Sequence, residues 1–148
     1  IMQRLEGRWM GIDFGLARVG VALSDPMGIL ASGFETISWD GHDVDAVRGQ
    51  LADIAVQQKV RGIVLGFPNR TDGGESSLSN LVHELASFLE QTVGVPVLLR
   101  DERYTTVIAR RKLKERGLSE KQMRSVLDQT AAQILLQEYL DHLRKTDY

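Results

Sequence analysis

The stretch from Trp9 to Asp25 constrains this chain more than any other. An apolar run, Trp9 to Ile12, leads into Asp13, with Gly15 two residues later; a second β-forming run, Val19 to Leu23, starts after a short polar break at Ala17 and Arg18. Runs this close pair as neighbouring antiparallel strands. An interior strand normally carries no acid, because a buried carboxylate is costly unless it is paired, hydrogen-bonded or bound to a metal. Asp13 therefore needs a partner elsewhere in the chain.

The remaining elements can be read in order. Ser24-Asp25-Pro26-Met27-Gly28 is turn chemistry, and Phe34 to Ile37 is a short third strand. Asp43 to Gln58 carries Val44, Val47, Leu51, Ile54 and Ala55 at helical spacing, behind a cap with acids in the first turn. Gly62 to Gly66 is a continuous apolar run, as expected of a strand covered on both faces. After a glycine-rich polar loop, a helix from Ser76 or Ser77 to about Thr92 stops at Gly94, and Val95 to Leu99 forms the next strand. Thr105 or Thr106 caps a basic helix closing at Gly117, and a last helix runs from Ser119-Glu120 to about Leu143. The order predicts one α/β domain over residues 1–148: a mixed five-stranded sheet, an antiparallel meander continued by parallel crossovers, with helices on both faces. A chain of 148 residues, 43% hydrophobic and 26% charged, can bury about 70% of its unfolded surface in such a fold. It has no cysteine, which excludes disulfides, thiolate catalysis and zinc-thiolate sites. No apolar stretch is long enough to span a membrane and Ile1 to Arg8 lack a signal core, so a cytoplasmic address without membrane contact is expected.

Two further acids stand where solvent is an awkward explanation. Glu102 lies just beyond the last predicted strand. Asp128 falls near the middle of the apolar arc formed by Leu127, Ala131, Ala132, Ile134, Leu135 and Tyr139, with Gln129, Gln133, Gln137 and Asp141 opposite and Glu138 at the arc's edge. Ligand sites of open sheets form beyond strand carboxyl ends, where Asp13 and Glu102 belong. Carboxylates converging there repel one another unless a cation is present, and oxygen ligands without His or Cys select Mg²⁺ or Mn²⁺. Spacing alone equally allows local roles: Glu102 paired with Arg103, Asp13 accepting loop amides, Asp128 capping a helix turn. His42, His83 and His142 show no ligand spacing, and the isolated Asp13-Phe14-Gly15 tripeptide lacks the other kinase motifs. Asp-x-Gly after a strand also resembles the phosphate loop of actin-like ATPases, but those clamp nucleotide between two domains.

Gly11-Ile12-Asp13-Phe14-Gly15, Arg18 to Pro26, Gly66-Phe67-Pro68 with Asp72-Gly73, Asp101 to Thr106, and Asp128 before Ala131-Ala132 together resemble the YqgF/RuvX family. The motifs span nearly the whole chain in family order. Ala17 stands where members often carry Lys, and Asn69-Arg70-Thr71 where they often carry an apolar residue and Asn-Met. The resemblance implies a ribonuclease H-like fold related to the RuvC resolvase, and a nuclease maturing the 5′ end of small-subunit ribosomal RNA or resolving Holliday junctions. It implies that Asp13, Glu102 and Asp128 are the metal-binding catalytic acids.

The net charge of −2 argues against strong non-specific nucleic-acid binding, but Arg100 to Arg124 holds nine basic residues against four acidic ones, a concentrated patch on an acidic body. Arg111 and Lys112 in that patch, with Arg18, Asn69, Arg70 and Arg103, are the candidate substrate-binding residues. A non-catalytic nucleic-acid-binding module is the rival class. The apolar stripes are used in covering the sheet, so a monomer or weak homodimer is expected, with RNA favoured over junction DNA.

Overall fold

The computed structural model describes residues 7–67, 76–101 and 105–146. In chain order the elements are β1 (Trp9–Phe14), β2 (Arg18–Ser24), β3 (Ala31–Ser38), α1 (Val44–Gln57), β4 (Gly62–Phe67), α2 (Ser76–Val93), β5 (Val97–Asp101), α3 (Thr105–Glu115) and α4 (Glu120–Thr146). The sheet order is β3-β2-β1-β4-β5, with β1–β2 and β2–β3 antiparallel and β1–β4 and β4–β5 parallel. The architecture is the mixed five-stranded sheet expected from the order of periodicities. β3 is longer than the predicted Phe34 to Ile37, because a register irregularity opposite Val21 and Ala22 lets pairing continue down to Ala31.

Alternation along β1 sorts its side chains between two cores. Met10, Ile12 and Phe14 face α1 and α2, joining Val21, Leu51, Ile63, Leu65, Leu85 and Leu89. Trp9 faces the opposite way, toward α4, with Ala22, Val64, Ala132, Leu136 and Leu140. Each fully buried Leu or Ile in these layers contributes roughly 2 kcal/mol. α3 adds Ala109 against Ala131 and Ile134 of α4.

At Gly11 and Gly20 on the α4 face the sheet has no side chains, and there the helix backbone comes down onto it. A Cβ at Gly11 would lie 3.0 Å from the Ala132 carbonyl oxygen and 2.9 Å from Leu136 Cβ. One at Gly20 would lie 1.9 Å from the Asp128 carbonyl oxygen, which real side chains never tolerate.

The helix ends follow local chemistry. Asp43 caps α1 by accepting from the Ala46 amide, and Gly94 and Gly117 take the left-handed conformation after α2 and α3. Ser119 and Gln122 form a reciprocal capping box at the start of α4: the Gln122 amide donates to Ser119 Oγ (3.2 Å), and the Ser119 amide donates to Gln122 Oε1 (2.9 Å).

α4 departs from the sequence reading in two respects. Gln129, Gln133 and Gln137 do not face solvent opposite the sheet but lie toward β3, where Gln137 accepts from the Ala31 amide and donates to the Ile29 carbonyl, both at 2.8 Å. Glu138, placed at the edge of the buried arc, is exposed, while Leu136 and Leu140 beside it are fully buried. The buried arc is centred on Ala132, Leu136 and Leu140, because small residues on the sheet admit the helix more closely than hydropathy reveals.

Candidate active site

Asp13 sits in the last pleat of β1 but one, flanked by Gly20 of β2 and Gly66 of β4. Alternation from Trp9 and Gly11 turns its side chain to the α4 face. The same row continues to Thr36 on β3 and Arg100 on β5. Two glycines beside the acid leave this part of the sheet without side chains of its own. Into that space comes α4, with the Asp128 Cα 3.0 Å from where a Gly20 Cβ would be. Gly20 thus brings an acid from a residue 115 positions away in sequence to within about one strand spacing of Asp13.

The first residue of β2 completes the arrangement. Arg18 Nε donates to Asp128 Oδ2 at 2.8 Å, with the guanidinium side chain 51% exposed and the carboxylate side chain 20% exposed. Arg18 is aimed by the β1–β2 turn, which Trp39 holds from β3's end. The Trp39 indole N–H donates to the Gly15 carbonyl (2.8 Å), its amide donates to the Ala17 carbonyl (3.1 Å), and its ring packs 5.6 Å from that of Phe14. Nothing in the hydropathy pattern marks Trp39 for this role, since its value lies in one hydrogen bond across the turn.

Two neighbours complete the row. The Thr36 hydroxyl is buried with no hydrogen-bond partner among the described residues, an unmet polar group that costs about 1–3 kcal/mol. The Arg100 guanidinium lies 5.3 Å over the Tyr139 ring, which is 5.0 Å from Trp9. Burial pushes the Tyr139 phenol up, against the pull of Arg100 and Arg61, so it stays protonated near neutral pH.

The structure therefore brings together Asp13, Asp128 and Arg18. Glu102, Arg103, Asn69 and Arg70 lie outside the described residues. Arg111 and Lys112 are exposed on α3. Among the described residues no three potential ligands form a metal cluster. Asp13 and Asp128, both on the α4 side of the sheet beside Gly20, offer carboxylate oxygens, donors that suit a hard divalent cation and not a softer one.

This fold is that of the RuvC-type, ribonuclease H-like resolvases. Thermus thermophilus RuvC, solved in complex with a Holliday junction substrate, superposes with a TM-score of 0.65 over 95% of this chain and 98% of its own, at 12% identity. A family model, RuvX, described as Holliday junction resolvase, matches residues 7–142. Sequence relatives called "Putative pre-16S rRNA nuclease" include one from Streptomyces avermitilis, 42% identical over 140 residues (94% of this chain, 88% of the relative). Another, from Myxococcus xanthus, is 40% identical over 140 residues (95% and 91%). The chain belongs to the RuvX family. By family it is a nuclease, a hydrolase acting on phosphodiester bonds. No helix among the described residues is long and apolar enough to cross a membrane.

Proposed function

We propose that the chain is a divalent-metal-dependent nuclease of pre-16S ribosomal RNA 5′-end maturation, with Asp13, Glu102 and Asp128 as the acids that hold Mg²⁺ or Mn²⁺. The observation that carries this reading is the seating of Asp128 over Gly20, beside Asp13, at the carboxyl end of the central strand. The name shared by relatives at about 40% identity supports ribosomal RNA as the substrate. A bound cation of this kind activates water and stabilises the leaving oxygen of a phosphodiester. Asp13 supplies a carboxylate fixed by the sheet and Asp128 one fixed by α4. Arg18 neutralises Asp128 and stands exposed beside it, where it can meet a substrate phosphate.

The test is cleavage of single-stranded RNA in Mg²⁺ and in Mn²⁺ by Asp13→Asn, Glu102→Gln and Asp128→Asn, alongside thermal melting. Each variant should lose roughly a hundredfold or more in rate while melting within a few degrees of the parent. Full activity in any one removes that residue from the site.

The second reading is Holliday junction resolution, favoured by the family description and the RuvC likeness. A resolvase must nick two symmetry-related strands and so requires a two-fold dimer with paired sites, whereas trimming one strand does not. A monomer or weak dimer preferring single-stranded RNA is the expectation. Symmetric paired nicking of a four-way junction by a stable dimer overturns it, and binding without products in any metal makes the protein a non-catalytic module.

A further inference from the structure

α4 carries four glutamines, and the fold uses two of them: Gln122 in the capping box and Gln137 in the clamp on the β3 backbone. Gln129 and Gln133 have no hydrogen-bond partner among the described residues. Both line a groove of about 420 Å³ on the β3 side of α4. Leu118 and Val126, both half-buried, give it an apolar floor, Gly33 keeps its β3 wall open, and exposed Arg116 stands at its rim. The Gln129 side chain is laid along Gly33, 3.1 Å from where a Cβ would be, so Gly33 is what lets this amide into the groove. The groove begins one residue from Asp128.

From these parts we infer that the groove takes an unpaired nucleobase of the substrate strand, next to the nucleotide that is cut. The inference rests on the nuclease reading of the site. An apolar floor suits the flat face of a base. Two uncharged amides, each offering a donor and an acceptor together, suit its hydrogen-bonding edge. Arg116 at the rim suits the attached phosphate, and the other described lining residues are uncharged, which disfavours the phosphate inside. A base in a duplex keeps its flat face stacked on its neighbours and out of reach of an apolar floor, so the ligand is an unstacked base of a single strand.

The experiment uses Gln129→Met and Gln133→Met, singly and together, which keep side-chain volume and remove the amides. Single-stranded RNAs are cleaved with one base at a time varied through A, C, G and U around the cut site, and DNA strands of the same sequence are run in parallel. The parent should discriminate at one position by roughly tenfold or more, and the double variant should lose most of that preference while melting like the parent. Equal loss of preference on RNA and DNA assigns the recognition to the base alone. A parent without base preference at any position, or a preference that survives in the double variant, overturns the inference. Should the parent cleave nothing in either metal, the nuclease reading fails separately, and the groove is judged by binding of fluorescent oligo(A), oligo(C), oligo(G) and oligo(U). Equal Kd values for all four then overturn it, and a preference abolished by the double variant supports it.

Discussion

Arg18 and Asp128 illustrate how exposure separates what an ion pair does for folding from what it does for function. With the arginine side chain about half exposed, the pair contributes less than about 1 kcal/mol to stability. Arg18→Met should therefore shift the melting temperature by less than about 4 °C. The same change removes a positive charge 2.8 Å from a carboxylate proposed to hold a cation. Calorimetric titration should show Mn²⁺ binding the variant several-fold more tightly, while cleavage slows. Unchanged metal affinity would mean that the guanidinium does not compete for Asp128. Asp25 offers a different residue-scale test. Burial pushes its carboxyl up, but the amides of Leu30, Ile29 and Met27 outweigh that and leave it below its ordinary value. The folded state then holds this proton less tightly than the unfolded state, so the stabilisation is complete above the unfolded value and fades as pH drops below about 4. Asp25→Asn should flatten that part of the acid-unfolding profile, measured by denaturant melts from pH 6 to pH 2.

At the scale of elements, α4 depends on what the sheet leaves out. Adding a methyl group at Gly20 must lift the helix at Asp128, so Gly20→Ala should cost about 3 kcal/mol and take activity with it. Ser119→Ala removes half of a capping box at an exposed end and should cost only about 1 kcal/mol, with cleavage intact. Urea unfolding of the two variants beside rate measurements checks the contrast. These glycines also mark where sequence reading stops. The strands and helices were legible because apolar residues repeat at two or at about 3.6 positions, and the inward direction of Asp128 followed from the same angles. Gly11, Gly20 and Gly33 carry no hydropathy signal, although the distance between helix and sheet depends on them. For the same reason Gln129, Gln133 and Gln137 read as a solvent stripe: polarity predicts water, but the edge of β3 offers backbone groups that an amide satisfies equally well. Trp39 escaped notice because its part is a single hydrogen bond to a turn. Strand ends and helical angle singled out Asp13, Glu102 and Asp128, and the family motifs gave them the metal-binding role proposed above.

At the scale of the whole molecule, the basic residues of α3 sit on an otherwise acidic body. Arg111 and Lys112 are both exposed, and Arg111→Ala with Lys112→Ala should lower the slope of log Kd against log salt by about 1.4 for single-stranded RNA, about 0.7 for each phosphate no longer neutralised. A slope equal to the parent's would put the strand's path on another face. The close seating of α4 on the sheet has a kinetic consequence as well. In many enzymes the site opens by a cheap local fluctuation, and its amide hydrogens exchange with solvent long before the core's. Here the Asp128 carbonyl rests on Gly20 and the Ala132 carbonyl on Gly11, so the helix cannot leave Asp13 without abandoning the core beneath it. Amides from Asp128 to Leu136 should exchange at the rate set by global unfolding, together with those of β1. The protein would then lose the proposed pairing of Asp13 with Asp128 and its fold in one event, without a folded form in which α4 has parted from β1.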